Sequence, residues 1–412
     1  MINFFRPRPE DLFPLRSGPL APHLEGFAAV LAQQGYCRNA GWQKVRLVAE
    51  LSQWLAERGL KIGQLDERQV SAFLEVRTKT RRRRSGDSCT MALLLRHLRQ
   101  SCGLPAPRPP AVRSSLDRLV GEYEQFLRKE RNLCSGSIAA YLPMVRRFFE
   151  HRFPTGEIQL RQLSAGDAAE FILHSSDRCG RRYLQSTTST LRSFFGFLLQ
   201  RGKISIPLAT TVPTVAARRM AELPKFLEAS QVEKLLKSCD RRRSLGRRDY
   251  AILLLLARLG LRGGEVVHLC LEDIDWQAGE LIIRGKGGRL DRLPLPCDVG
   301  QAIADYLKTR RSGCPSRRVF LQSRAPYEGL ASSGVVGCVV RSALARAQLH
   351  PARRGAHLLR HSLASRLLQG GASLAQIGQV LRHQDVQTTE IYAKVDMNAL
   401  RLLAQPWPGG DR

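Results

Sequence analysis

Two proline-rich breaks decide how this chain can be partitioned. The stretch "GLPAPRPPAVRSS" (103–115) sets prolines where a helix needs backbone donors, so it reads as an extended linker. A longer connection, "ISIPLATTVPTVAARRMAELPKFL" (204–227), interrupts the chain again. Three pieces follow, at 20–103, 114–205 and 225–400, with a tail at 401–412. At 412 residues the chain is long enough to bury substantial cores in two or three domains.

The first two pieces echo each other. "FAAVLAQQGYC" (27–37) lies on "YEQFLRKERNLC" (123–134) with one inserted residue, "QLDERQVSAFL" (64–74) on "QLSAGDAAEFI" (162–172), and "LRQSCGL" (98–104) on "LLQRGKI" (198–204). Each piece reads as about four short amphipathic helices, which fits a duplication and also fits convergent helix patterning. Each carries a basic segment before its last helix: "KTRRRR" (79–84), with Arg81, Arg82, Arg83 and Arg84, and the group Arg178, Arg181 and Arg182. A charge run is most often a solvated face. Here two runs occupy corresponding places on a chain with 65 Lys and Arg against 36 Asp and Glu, a formal charge of +29. An excess of that size favours a polyanion as partner, and phosphate contact is the better reading of both runs.

Ten cysteines at 37, 89, 102, 134, 179, 239, 270, 297, 314 and 338 form no C-x2-C pair. They read as reduced, mostly buried thiols of a cytoplasmic protein, neither a metal site nor a disulfide framework. The start, "MINFFRPRPEDLF", is broken by prolines and charge before any secretory apolar run forms. The most apolar stretch, "YAILLLLARLGL", is interrupted by Arg258 and is short of the roughly 20 residues a membrane span requires. No membrane role follows.

The third piece changes character. "RRDYAILLLLARLGLRGGEVVHLCLEDI" predicts a long buried helix, a glycine break, and a second helix carrying Arg262 and Glu265. "GELIIRGKGGRLDRLPLP" (279–296) alternates as two short strands around "GKGG", a hairpin by its turn residues. Helices fill the remainder, so the expected class is mainly α with a small β-hairpin.

Near the end, "HLLRHSLASRLLQGGASLAQIGQVLRHQDVQTTEIYAKVD" (357–396) concentrates polar residues in helical sequence. His357, Arg360 and His361 share one face by their three- and four-residue spacing. Leu363 and Leu367 supply an apolar stripe, and Ser373 is the expected N-cap of the next helix. These polar residues are either the surface of an ordinary helical domain or a cluster closing around an anion.

Four landmarks in order carry a resemblance: "ARLGLRGGEV", "GKGGRLDRLPLP", "HLLRHSLAS" and "LRHQDVQTTEIYA". Together they resemble the tyrosine recombinase (phage integrase) family, specifically over 225–400 and more loosely over 114–205, where such enzymes carry a helical core-DNA-binding domain. Over 20–103 only the internal repeat speaks. The resemblance implies that Tyr392 is the nucleophile that attacks a scissile phosphodiester, giving a 3′-phosphotyrosyl link and a free 5′-hydroxyl. It implies that Arg262 and Arg360 clamp the non-bridging oxygens with support from His383. Lys286 would protonate the departing 5′-oxygen, and His357 would act as acid/base on the tyrosine. Glu265 and His361 would be buttresses. It further implies double-stranded DNA as partner, a C-shaped clamp on the duplex, a homotetramer on two sites, and no cofactor. One position departs from the pattern: Arg382 stands before His383, where the family very often has glycine.

Physical chemistry supports the same set. Planar, always-charged guanidinium forks match the charge that builds on a phosphodiester under attack. Nearby cations ease deprotonation of a phenol whose pKa is near ~10 in water. No acidic ligand cluster accompanies these residues, so no metal is expected. The phosphotyrosyl link conserves the bond energy needed for rejoining. The extra N-terminal piece suggests a longer or bipartite footprint and a mobile element as the setting. Two rivals are a non-catalytic DNA-binding module on the same fold and a type IB topoisomerase.

Overall fold

The structure, a computed structural model, describes residues 1–5, 17–80, 86–106, 114–154, 157–216, 224–285, 289–309, 314, 316–383, 385 and 388–395. Arg81 to Arg84, Lys286 and the tail at 401–412 lie outside the described residues. The chain divides into two compact units, one of Met1–Pro105 with Glu222–Arg412, the other of Ala106–Ala221.

The element order bears directly on the internal repeat. After a short N-terminal turn of helix, α1 (Ile2–Phe5), the first piece runs α2 (Leu24–Gln33), α3 (Arg38–Glu57), α4 (Glu67–Thr80) and α5 (Asp87–Cys102). The second runs α6 (Ser115–Lys129), α7 (Ser135–Arg152), α8 (Ala165–Ser176) and α9 (Arg181–Gln200). In both, a single 3-10 turn precedes the third helix, Ile62–Gln64 in one and Leu160–Gln162 in the other. The leucine that follows each turn, Leu65 or Leu163, is buried in its own core. Both third helices are capped by carboxylates: Asp66 Oδ1 accepts from the Arg68 and Gln69 amides, and Asp167 Oδ2 from the Ser164 amide at 2.7 Å.

The second unit packs around an aromatic core. Tyr123, Phe126, Phe148, Phe149, Phe194 and Phe197 are all buried there, with ring centroids 4.9 Å apart for the Tyr123–Phe194 pair. The second proline-rich connection is partly docked on this unit. Leu208 and Val212 join its core, and Arg192 Nη2 donates to the carbonyls of Val212 (2.9 Å) and Pro213 (3.1 Å). Proline stops the helix there, but buried apolar side chains still hold the segment down.

The last piece is built on α11 (Ser244–Arg258). Every residue from Ala251 to Ala257 is buried, as expected for a helix that is apolar all round. Around it stand α10 (Ala229–Lys237), α12 (Gly263–His268), α13 (Cys297–Thr309), α14 (Ser333–Arg346) and α15 (Ala356–Gln369), and α16 (Leu374–Val380) packs on α15. The expected hairpin forms as β2 (Glu280–Arg284) and β3 (Leu290–Pro294), antiparallel with Ile282 opposite Arg292. A two-residue strand, β1 (Ile274–Asp275), extends it to an order β1-β2-β3. The fold is therefore mainly α with a small antiparallel sheet.

The ten cysteines carry thiols, but the expectation that most are buried is wrong. Cys239 alone is buried; Cys179, Cys270 and Cys314 are half-buried and the other six are exposed. Cys37 and Cys134 show why: they sit at the N-caps of α3 and α7, where the extended backbone enters a helix from the surface. Among the described residues no helix is long and apolar enough to cross a membrane.

Candidate active site

The site forms where the break after α11 meets α15 and the segment beyond α16. Gly260 makes the first junction. Its φ of +58° is left-handed, and a Cβ there would lie 2.7 Å from Leu381 Cδ2 and 3.0 Å from Leu363 Cδ2. Glycine alone satisfies both conditions. Its carbonyl accepts from Arg360 Nη1, while Arg360 Nη2 donates to the carbonyl of Leu381. Arg360 is thus buried and fixed by two backbone oxygens from opposite sides of the site.

Arg262 occupies the N-cap position of α12. Its backbone amide donates to Glu265 Oε2 (2.8 Å) and its Nη1 to Glu265 Oε1 (2.9 Å). Arg382 reaches the same carboxylate from the far side, donating from Nη2 to Glu265 Oε2 at 2.8 Å. The three side chains differ in access: Arg262 is 41% exposed, whereas Glu265 and Arg382 are 6% and 5% exposed. Arg262 is therefore the guanidinium of this trio that can meet an anion from solvent. Burial raises the Glu265 pKa, but the amide and the two guanidinium groups outweigh it, and the net shift is downward. The carboxylate stays ionised. Burial lowers the Arg360 pKa to about 10, helped by Arg262 and Arg382, so Arg360 is still cationic at neutral pH.

Tyr392 lies in the 3-10 helix Glu390–Val395 and is buried against Leu363, Ala364, Ile377 and Leu381. Its hydroxyl lies 2.8 Å from His361 Nδ1. Burial pushes the phenol up to about 12, opposed by Arg360, and pushes His361 down to about 4, with His357, Arg353 and Arg360 adding to the effect. Both partners are thus neutral at pH 7 and share one hydrogen bond. His383 Nδ1 lies 2.7 Å from Thr389 Oγ1, and burial followed by the charges of Arg360 and Arg262 brings its pKa to about 4. Ser373 caps α16 as expected, accepting from the Gln376 amide at 3.3 Å.

Arg262, Glu265, Arg360, His361, His383 and Tyr392 are accordingly joined by short links, directly or through Arg382, Thr389 and the Leu381 carbonyl. His357 is exposed on the first turn of α15, and the imidazole at the tyrosine hydroxyl is that of His361. In the other unit Arg178 is exposed ahead of α9 and Arg181 and Arg182 are exposed in its first turn, where Tyr183 accepts from Arg147 Nη1 at 2.9 Å. Sequence reasoning missed Thr389 and Asp291, whose Oδ2 lies 3.9 Å from Arg382 Nε. No spacing rule links positions so far apart. The glycine break expected in "RLGLRGG" is met at Gly260, whose left-handed φ ends the helix.

Comparison with known proteins gives the family. The Phage integrase family profile matches residues 225–399, and the Phage integrase, N-terminal SAM-like domain profile matches 120–202. A putative integrase/recombinase of Sinorhizobium fredii, y4rA, is 42% identical over 397 residues, 95% of each chain. The chain belongs to the phage integrase family. This tyrosine recombinase is also 31% identical to XerD of Listeria monocytogenes over 294 residues, which takes in 95% of XerD but 68% of this chain. About a third of the recombinase thus has no counterpart in that relative. In fold it is similar to the XerH site-specific recombinase solved with a palindromic difH substrate after cleavage. The TM-score is 0.57 at 21% identity, covering 70% of this chain and 84% of that one.

Proposed function

We propose that this recombinase cuts and rejoins double-stranded DNA at specific sites through Tyr392, in the cytoplasm and in the service of a mobile element. The phenol oxygen attacks the scissile phosphorus, forming the Tyr–O–P bond as the P–O5′ bond breaks. The phenol proton passes to a base, for which His357 is assigned, and the departing 5′-oxygen takes a proton from Lys286. Arg262 and Arg360 hold the non-bridging oxygens, His383 supports them, and Glu265 and His361 position the arginine and the tyrosine. Attack of the 5′-hydroxyl on the phosphotyrosine reverses the chemistry and needs no high-energy cofactor. Exchange between two duplexes takes four cleavages, so the working assembly is a homotetramer.

The observation that carries the reading is that the His361–Tyr392 bond, the Arg360 contacts to the Gly260 and Leu381 carbonyls and the Arg262–Glu265 pair lie within the same unit. A protein that only bound DNA would not need a tyrosine there. Because the hydroxyl is buried, cleavage requires Tyr392 to leave its pocket when DNA arrives. The arginines Arg178, Arg181 and Arg182 support phosphate contact by the separate helical unit. Arg181 and Arg182 occupy the first turn of α9, where the helix dipole disfavours cations unless an anion joins them. The part of the chain without a counterpart in XerD supports an extended footprint, with Arg81 to Arg84 as further phosphate contacts.

The test uses suicide DNA substrates carrying candidate sites, with covalent protein–DNA adducts resolved on denaturing gels. The expected result is an adduct that Tyr392→Phe abolishes. No adduct on any substrate would favour a binding module, and adducts without site preference, accompanied by relaxation of supercoils, would favour a topoisomerase.

A further inference from the structure

Arg382 is an anomaly in three respects. Its φ is +55°, the left-handed region that glycine enters freely and a long side chain enters at a cost. Its side chain is 5% exposed. Its Nε and Nη1 are buried without a hydrogen-bond partner among the described residues. A strained backbone carrying a buried and incompletely bonded cation is retained only if the charge is useful where it lies.

Its surroundings show where that is. Arg382 Nη2 donates to Glu265 Oε2, the oxygen that also accepts the Arg262 amide, and the Arg382 carbonyl lies 3.4 Å from Arg262 Nη2. Asp291, 3.9 Å from Arg382 Nε, is itself engaged by Arg289 at 2.8 Å. Among the described residues, the clamp thus holds three guanidinium groups, on Arg262, Arg360 and Arg382, and one buried carboxylate, Glu265. Without Arg382, Glu265 would cancel one of the two remaining cations. With it, the carboxylate can still hold Arg262 in place while the clamp keeps an excess of two positive charges.

We propose that Arg382 is a positioning residue for DNA cleavage, which neutralises Glu265 from behind so that Arg262 is both held rigidly and left free to meet the phosphate with its full charge. The inference rests on the reading of the site given above. Extra negative charge develops on the phosphate in the transition state, so the contribution belongs to the rate of cleavage more than to DNA affinity.

The experiment measures single-turnover cleavage of a suicide substrate by the full-length protein, with DNA affinity measured in parallel. Arg382→Gly suits the left-handed backbone, so the variant should fold. We expect cleavage to slow about tenfold or more, short of the roughly 10²–10³-fold loss of a donor touching the charge itself, with affinity little changed. Arg382→Lys, which keeps the charge without the fork, should lie between. Glu265→Gln placed in the Arg382→Gly background should recover part of the lost rate, because it removes the uncompensated anion. A methylphosphonate at the scissile position, lacking one phosphate charge, should shrink the Arg382→Gly defect. The proposal is overturned if Arg382→Gly cleaves like the wild type. It is equally overturned if the defect is the same on both substrates and deepens with Glu265→Gln, as a merely structural role would have it. A wild type that forms no adduct overturns both this inference and the reading beneath it. A wild type that forms one while the variants fail these comparisons overturns this inference alone.

Discussion

The two sides of the site are built on opposite electrostatic plans. Around Glu265 the protein gathers ionised groups, holds them with charge-assisted hydrogen bonds, and leaves Arg262 open to solvent. Around Tyr392 it gathers leucines, isoleucine and alanine, and the hydroxyl shares a bond with the neutral His361. On the proposed reading, the first side is organised for negative charge before any substrate arrives, the arrangement that lowers a barrier in an excluded site. On the same reading, the second withholds the nucleophile: burial pushes the Tyr392 phenol up to about 12, so its exposure would be a step that substrate drives.

If this contrast holds, substitutions on the two sides should fail in different ways. The largest effect is expected from Arg262→Ala. Cleavage should fall by about 10²–10³-fold, the usual loss for a preorganised donor, with thermal stability little altered because the side chain is half in solvent. Equal losses of rate and stability in this variant would contradict the division. Next comes Gly260→Ala, at the one residue that serves both sides. A methyl group there meets a left-handed φ and the side chains of Leu381 and Leu363, so strain and overpacking together should cost roughly 2–4 kcal/mol. Denaturant unfolding would read this directly. A variant as stable as the parent would mean that the junction relaxes freely.

The contrast also sharpens with pH. Burial holds His361 and His383 near about 4, below the ordinary imidazole value of 6.5. Between those values the unfolded chain binds more protons than the folded one, so stability should be fully present above 6.5 and decline as pH falls toward 4. Melting temperatures across this window should show a slope that His361→Gln with His383→Gln flattens. An unchanged slope would place the acid sensitivity elsewhere in the chain.

How much of this was legible beforehand follows from the range of the interactions. The helix cap at Ser373, the hairpin strands flanking "GKGG" and the buried α11 are local matters of capping, turn chemistry and apolar patterning, and the chain states them within a few residues. The resemblance to a family brought Arg262, Arg360 and Tyr392 to notice together. What could not be read were contacts between distant positions on irregular segments. The His361–Tyr392 bond spans 31 residues and the Arg382–Glu265 pair spans 117. Neither lies on a shared helical face, and the direction of the Arg382 side chain depends on a single left-handed residue. Arg192 holding the second linker is of the same kind, since proline content announces a break in the helix and says nothing about what the broken segment packs against.

The smallest expected effect bears on how firmly the tyrosine is held. Tyr392→Phe keeps the ring among Leu363, Ile377 and Leu381 and removes only the hydroxyl. His361 Nδ1 then loses its partner, but the ring is half-buried and can turn toward water. The cost should therefore be near the net value of one neutral hydrogen bond, about 1 kcal/mol, well below the penalty for a fully buried orphan. Unfolding midpoints in denaturant at pH 7.5, where both partners are neutral, would measure it. A loss of several kcal/mol would mean that the bond itself is the latch, making tyrosine release expensive and strongly dependent on DNA. A stability equal to or above the parent would mean that apolar packing alone retains the ring. His361 would then serve Tyr392 only after it has moved, and the pocket would restrain the nucleophile by shape.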